Sequence, residues 1–351
     1  MLERSPAYRE SAYDRRLIQL LKSVLDGFDT LSKTARFSRR LDVAGTTFEV
    51  CCNDHDYLEQ AERALATRPG TDGRICKIAV ISADDLVGAM PVWTLDGFHE
   101  RQWEAVLAQT SYRLHYFENL EFWQVFDVDR GIGVQWMKAK DALPAWDSGS
   151  PLRNFVQWRL GTQTASLLHG GTLALSESGV LLAGEGGAGK SSTVLAGIFG
   201  GLQSVGDDYV LVDVENLVAR PVFDTLKQDE KGLRRLGQWQ HPLIPKAPNW
   251  QGKHQFYMPD VVDGGLPSQI ELKAIVLPEL TYAQHTSLIP TTAKEAFLAL
   301  APSGVTQIHC DRARLFHVAG RITRALPAYR LRLGTQPDEI VQVLRTFLEA
   351  L

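Results

Sequence analysis

A chain of 351 residues in which 41 Asp and Glu outweigh 37 Lys and Arg carries a formal charge of −4, which excludes general attraction to nucleic acid or to an anionic membrane surface. The length suffices for two domains, each with a sizeable core, and no apolar run approaches the roughly 20 residues that span a bilayer. The first ten residues are charged and lack an apolar core of signal-peptide length, so a cytoplasmic protein is expected, and the four cysteines (Cys51, Cys52, Cys76, Cys310) form no CxxC pair and read as reduced structural thiols.

Leu17, Ile18, Leu21, Val24, Leu25 and Phe28 recur at helical spacing and predict an amphipathic helix over 11–31. Alternation on either side of Ala44-Gly45 predicts a hairpin over 40–50, followed by a short helix over 58–66 and a strand over 75–81. Asp84-Asp85 after that strand reads as a solvated turn or helix start rather than a metal site. Three strand-like runs, 112–116, 122–127 and 131–137, predict a meander. Trp93, Trp103, Trp123 and Trp136 suit either a core or a binding face, which spacing does not decide. Pro144, Gly149 and Pro151 among serines and aspartates mark a linker over 142–153. We therefore expect an N-terminal mixed α/β domain over 1–150, for substrate or partner recognition, and a catalytic domain over 151–351.

The second half opens with a helix-like run over 154–168. An alternating strand over 172–176, a tight turn and an apolar strand over 179–183 then lead into Gly184, Glu185, Gly186, Gly187, Ala188, Gly189, Lys190, Ser191 and Ser192. This matches GxxxxGK[ST] between a strand and a helix, the setting in which the pattern denotes a phosphate loop. Glycines let successive N–H groups face an anion, and the following helix adds its unpaired donors and positive dipole end. Lys190 is placed to neutralise the β- and γ-phosphates, and the Ser191 hydroxyl to ligate Mg²⁺. Beyond the helix, Asp207-Asp208 precedes the strand-like run 209–212. Adjacent residues of a strand point to opposite sides, so one carboxylate can face Mg²⁺ and the other an acceptor hydroxyl. On residues alone, His169 is a polar residue at a helix end.

Seven cations, Arg220, Lys227, Lys231, Arg234, Arg235, Lys246 and Lys253, crowd a proline-containing stretch over 220–259 where a long irregular segment is expected. Lys227 and Lys253 are the ones chosen to reach the transferring phosphoryl group. A strand over 270–278 and helices over 292–300, 312–326 and 337–351 complete the chain, their apolar stripes serving the core.

The stretch LHGGTLALSESGVLLAGEGGAGKSSTVLAGIFGGLQSVGDDYVLVD, from Leu168 to Asp213, resembles the core of the HPr kinase/phosphorylase-like proteins, whose fold is shared with ATP-dependent phosphoenolpyruvate carboxykinase. The resemblance rests on a histidine one strand-turn-strand before the loop, the loop leading into a short helix, and an Asp-Asp pair soon after it. It implies an α/β (α+β) P-loop kinase core with a mixed sheet and flanking helices, ATP and Mg²⁺ as cofactors, and a hydroxyl acceptor, either a peptide or protein serine or a small molecule. By matching position it makes His169 and Asp207 a general base pair, Lys190 and Ser191 the phosphate and metal contacts, and Asp208 a second metal contact. Gly186 stands where the family's loop usually carries serine, and residues 228–235 lack the family's glycine-rich signature, so stand-alone kinases of the group are the nearer match. Self-association is open, and relatives commonly show it. Two other readings stay open: a nucleotide-binding regulatory or scaffold protein with little catalysis, and a carboxykinase-like enzyme.

Overall fold

The computed structural model describes residues 12–68, 73–85, 100–140, 142–238, 240–249, 251–262, 266–307 and 311–351; Trp93 and Cys310 lie outside the described residues. The fold is mixed α/β. In chain order come α1 (Ala12–Asp26), α2 (Phe28–Thr34), β1 (Phe37–Val43), β2 (Thr46–Cys52), α3 (His55–Ala64), β3 (Ile75–Ser82), α4 (Glu100–Leu107), β4 (Tyr112–Phe117), β5 (Phe122–Asp127) and β6 (Ile132–Met137). There follow α5 (Arg153–Leu160), β7 (Ala165–His169), β8 (Gly171–Leu175), β9 (Ser178–Leu182), α6 (Lys190–Phe199), β10 (Tyr209–Asp213), β11 (Val218–Pro221), β12 (Thr225–Asp229), α7 (Glu230–Arg235), β13 (Lys253–Tyr257), α8 (Met258–Val261), β14 (Ile270–Ala283), β15 (Ser287–Thr291), α9 (Ala293–Gln307), α10 (Arg312–Ala325), β16 (Ala328–Gly334) and α11 (Pro337–Glu349). Among the described residues no helix is long and apolar enough to cross a membrane.

Two compact units result. One holds Met1–Arg40, Phe48–Leu58 and Ile75–Pro144; the other holds Leu41–Thr47, Glu59–Arg74 and Ala145–Leu351. The first is built on a sheet of order β1-β2-β3-β6-β5-β4. The expected meander is β4-β5-β6, all antiparallel, and β6 then pairs in parallel with β3. Trp103 and Trp123 are buried in its core, with Trp123 stacked on Tyr116 at 3.9 Å, so core packing accounts for them. The expected helix over 11–31 is two helices, because the Gly27 N–H turns back to Ser23 and Val24 and closes α1. Cys51, Cys52 and Cys76 are free thiols.

The second unit carries an eight-stranded mixed sheet with β14 at its centre, flanked in parallel by β9 and β16. A core of Val180 and Leu182 from β9, Val194, Leu195 and Ile198 from α6, Val276 from β14, Leu331 from β16, and Ile340 and Leu344 from α11 locks α6 onto the sheet. Two sequence expectations need correction here. The helix-like run 154–168 is α5, which ends at Leu160, followed by strand β7, whose Ser166, Leu167 and Leu168 are buried; a strand buried on both faces has no alternation to distinguish it from a buried helix. The stretch over 220–259 is not irregular throughout: β12 and β13 form an antiparallel ribbon, with Leu226 opposite Phe256 and both buried.

Candidate functional site

The apolar strand β9 runs into the glycine-rich loop, and the loop ends where α6 begins. Gly184, Gly187 and Gly189 have φ of 157°, 85° and 104°, a region L-residues avoid, and the chain needs it three times to turn this tightly. Gly189 caps α6 without any side-chain hydrogen bond, which leaves the first N–H groups of the helix open. A Cβ on Gly186 or Gly187 would meet nothing within 4 Å, so this part of the loop borders open space. Lys190 is buried, and its Nζ donates to the carbonyls of Gly184 at 2.6 Å and Glu185 at 3.2 Å. Burial lowers its pKa, and the charges of Asp207 and Asp208 offset part of that.

The register of β7 on β10 sets His169 opposite Tyr209, and Gly170 N–H donates to the Asp208 carbonyl at 3.0 Å. Thr172 N–H, at the start of β8, donates to the Gly206 carbonyl at 2.9 Å. These bonds hold the Asp207-Asp208 pair between the histidine and the loop. Asp207 is only 4% exposed and lies beside the Ser191 hydroxyl, and its Oδ1 is buried with no protein partner. Burial and the adjacent Asp208 charge push its carboxyl up to about 7 against the pull of Ser191 and Lys190. Asp208 lies 3.2 Å from His169 Nε2 and 3.5 Å from Lys227 Nζ. Burial alone would raise Asp208, but Lys227, the hydrogen bond from His169 and the Arg153 charge outweigh it and hold the carboxyl well below the usual carboxylate range. Arg153 is itself seated by Tyr209, donating to its hydroxyl at 3.1 Å, with the guanidinium 5.0 Å from the Tyr209 ring.

These groups line one cavity of about 420 Å³. His169, Glu185, Gly186, Gly187, Gly189, Lys190, Ser191, Ser192, Asp207 and Asp208 all line it, whereas Gly184 and Ala188 of the loop do not. Of the two cations expected at the phosphoryl group, Lys253 lines the cavity and Lys227 sits on Asp208. The histidine contact differs from expectation: His169 meets Asp208, not Asp207. Asp207 turns instead to Ser191, so the pairing implied by the family resemblance is not the one formed.

No family model matches this chain, and no curated protein does. Among solved structures it is similar to the Hpr(Ser) kinase/phosphatase from Coxiella burnetii, with 16% identity over 53% of this chain and 97% of that one, at a TM-score of 0.29. A likeness so distant carries no weight for function, which has to rest on the geometry of the site.

Gln228 is a contributor the sequence did not mark: it donates to the Ser192 hydroxyl at 2.8 Å, and Lys231 and Arg235, two of the seven cations noted in the sequence, line the cavity with it from α7. The signal for Lys227 and Gln228 lies in the alternation of β12, which sends neighbours to opposite faces. Gly149, read as a linker residue, sits where a Cβ would come within 2.2 Å of Lys227 Cε. No pattern in sequence announces that contact. Outside the site, Asp85 accepts from the Ser82 N–H and hydroxyl, as a turn residue does.

Proposed function

We propose that this protein is an ATP- and Mg²⁺-dependent phosphotransferase acting on a hydroxyl group, of a peptide or protein serine or of a small molecule. The observation that carries this reading is the meeting, in one cavity, of an open glycine-rich loop at a helix N-terminus with two adjacent carboxylates that have different partners. The loop N–H groups, Lys190 and the start of α6 hold the triphosphate. The donor set suits a hard divalent cation: a serine hydroxyl beside a buried carboxylate whose second oxygen lacks a partner. Ser191 and Asp207 would hold Mg²⁺, whose chemistry there is to neutralise charge on the phosphate oxygens.

Asp208 takes the other role. Kept ionised by Lys227, it fixes the His169 ring through Nε2, and the His169–Asp208 pair accepts the proton of the acceptor hydroxyl while its oxygen bonds to the γ-phosphorus and the bond to the β-phosphate oxygen breaks. The two aspartates thus exchange the roles that the family resemblance implies. Lys231, Arg235 and Lys253 surround the cavity with positive charge suited to the transferring oxygens.

The test is nucleotide binding and phosphate transfer from labelled ATP to cell extract, with the full chain. Lys190→Ala is expected to lose nucleotide affinity by about tenfold or more, and Asp208→Asn to keep affinity while turnover falls roughly 10²- to 10⁴-fold. Wild-type turnover in Asp208→Asn removes the base assignment. Nucleotide binding without labelling of any acceptor favours a scaffold instead.

A further inference from the structure

The cavity lining is of two kinds. Lys231 and Arg235 from α7 and Lys253 from β13 suit phosphate oxygens, whereas Leu280 and Leu333 are apolar, and Gly334 and Thr335 follow Leu333 in the lining. These leucines lie near the carboxyl ends of β14 and β16, paired directly opposite one another, and β14 is also the parallel neighbour of β9, the strand that delivers the loop. In parallel α/β sheets ligands bind in the crevice outside the carboxyl ends of such strands. The leucines touch the cradle itself: a Cβ on Gly189 would lie 2.6 Å from Leu333 and 3.6 Å from Leu280. Leu333 is buried, whereas Leu280 is 42% exposed, a large apolar side chain left uncovered at the mouth of a polar site.

We propose that Leu280 and Leu333 form the surface on which the heterocyclic base of the bound nucleoside triphosphate lies. This rests on the loop holding the triphosphate, and it extends that reading to the other half of the ligand. Beside these leucines Thr281 Oγ1 donates to the Leu333 carbonyl at 3.0 Å, Gly334 N–H to Thr286 Oγ1 at 2.9 Å, and Thr286 N–H to Glu339 at 2.7 Å, so these three donors are occupied. The base is held mainly by apolar contact with the two leucines, which does not distinguish adenine from guanine, so nucleotides of both bases are accepted.

Calorimetric titration of the full chain with the Mg²⁺ complexes of ATP, GTP and inorganic tripolyphosphate tests this without reference to turnover. In the wild type, ATP and GTP should bind within about threefold of each other, both more tightly than tripolyphosphate. Leu280→Ala should weaken both nucleotides by about tenfold, the loss expected when most of one leucine's apolar contact is removed, and leave tripolyphosphate unchanged. Leu280→Met should restore the nucleotides. Equal weakening of tripolyphosphate, no weakening of the nucleotides, or a preference above about thirtyfold for one purine overturns the base surface while leaving the phosphate loop intact. Failure of all three ligands to bind overturns the phosphate-loop reading beneath it.

Discussion

Asp207 and Asp208 share a peptide bond yet hold protons very differently, because one is buried beside a like charge and the other lies between Lys227 and His169. In nucleotide-free protein with divalent ions chelated, Asp207 has a carboxyl near 7 when folded, against about 4 when unfolded. The raised value means that folding favours the protonated form. Its contribution to stability is complete below about pH 4 and is lost as pH rises toward 7, after which it is flat. Asp207→Asn, close in shape and never charged, should melt at a higher temperature than wild type at pH 8 and near the wild-type value at pH 4. Thermal unfolding across that range checks it, and an unchanged pH slope in the variant would assign the decline to another group.

The β12–β13 ribbon is the element that completes the site. Lys227 and Gln228 are consecutive, so β12 sends one to Asp208 and the other to Ser192, while β13 supplies Lys253 opposite Asp229. Gln255, opposite Lys227, exchanges two hydrogen bonds with Ser148, which seats Gly149 under the lysine. Only hydrogen fits there: a Cβ would lie 2.3 Å from Lys227 Nζ. Gly149→Ala should displace the flexible lysine rather than the backbone, so stability should change by less than about 1 kcal/mol. Turnover should fall with nucleotide affinity unchanged, and Gly149→Ala combined with Lys227→Ala should lose no more than Lys227→Ala alone. Additive losses in that cycle would separate Gly149 from the lysine.

Across the whole molecule, residues 59–74 group with the second unit although they lie far from it in sequence. Ala66 N–H donates to Val222, Asp224 N–H to Ala64, and Arg68 grips the buried Asp224 carboxylate with two bonds of 2.6 and 2.9 Å. Thr225, the next residue, begins the ribbon strand that carries Lys227. Arg68→Ala strands a buried carboxylate and should destabilise the protein by about 3 kcal/mol in urea denaturation, with part of the loss recovered in Arg68→Ala with Asp224→Ala. No recovery in the double variant would mean that the arginine acts through packing alone.

The amino-acid sequence alone determined the loop and its setting. Glycines at 184, 187 and 189, an apolar strand before them and a helix after are local features, each set by neighbours a few residues away. It also determined the meander over 112–137, where turns separate short strands. Tertiary structure decided which carboxylate the histidine meets. That choice follows from the register of β7 on β10, a pairing between segments some forty residues apart in which a slip of one residue turns every side chain to the opposite face. It decided equally that residues 165–169 are strand rather than helix, that Gly149 makes room for Lys227, and that two leucines at distant strand ends lie against Gly189. Local spacing records the conformation a segment can adopt; the partner it finds depends on hydrogen bonds and packing supplied by the rest of the chain.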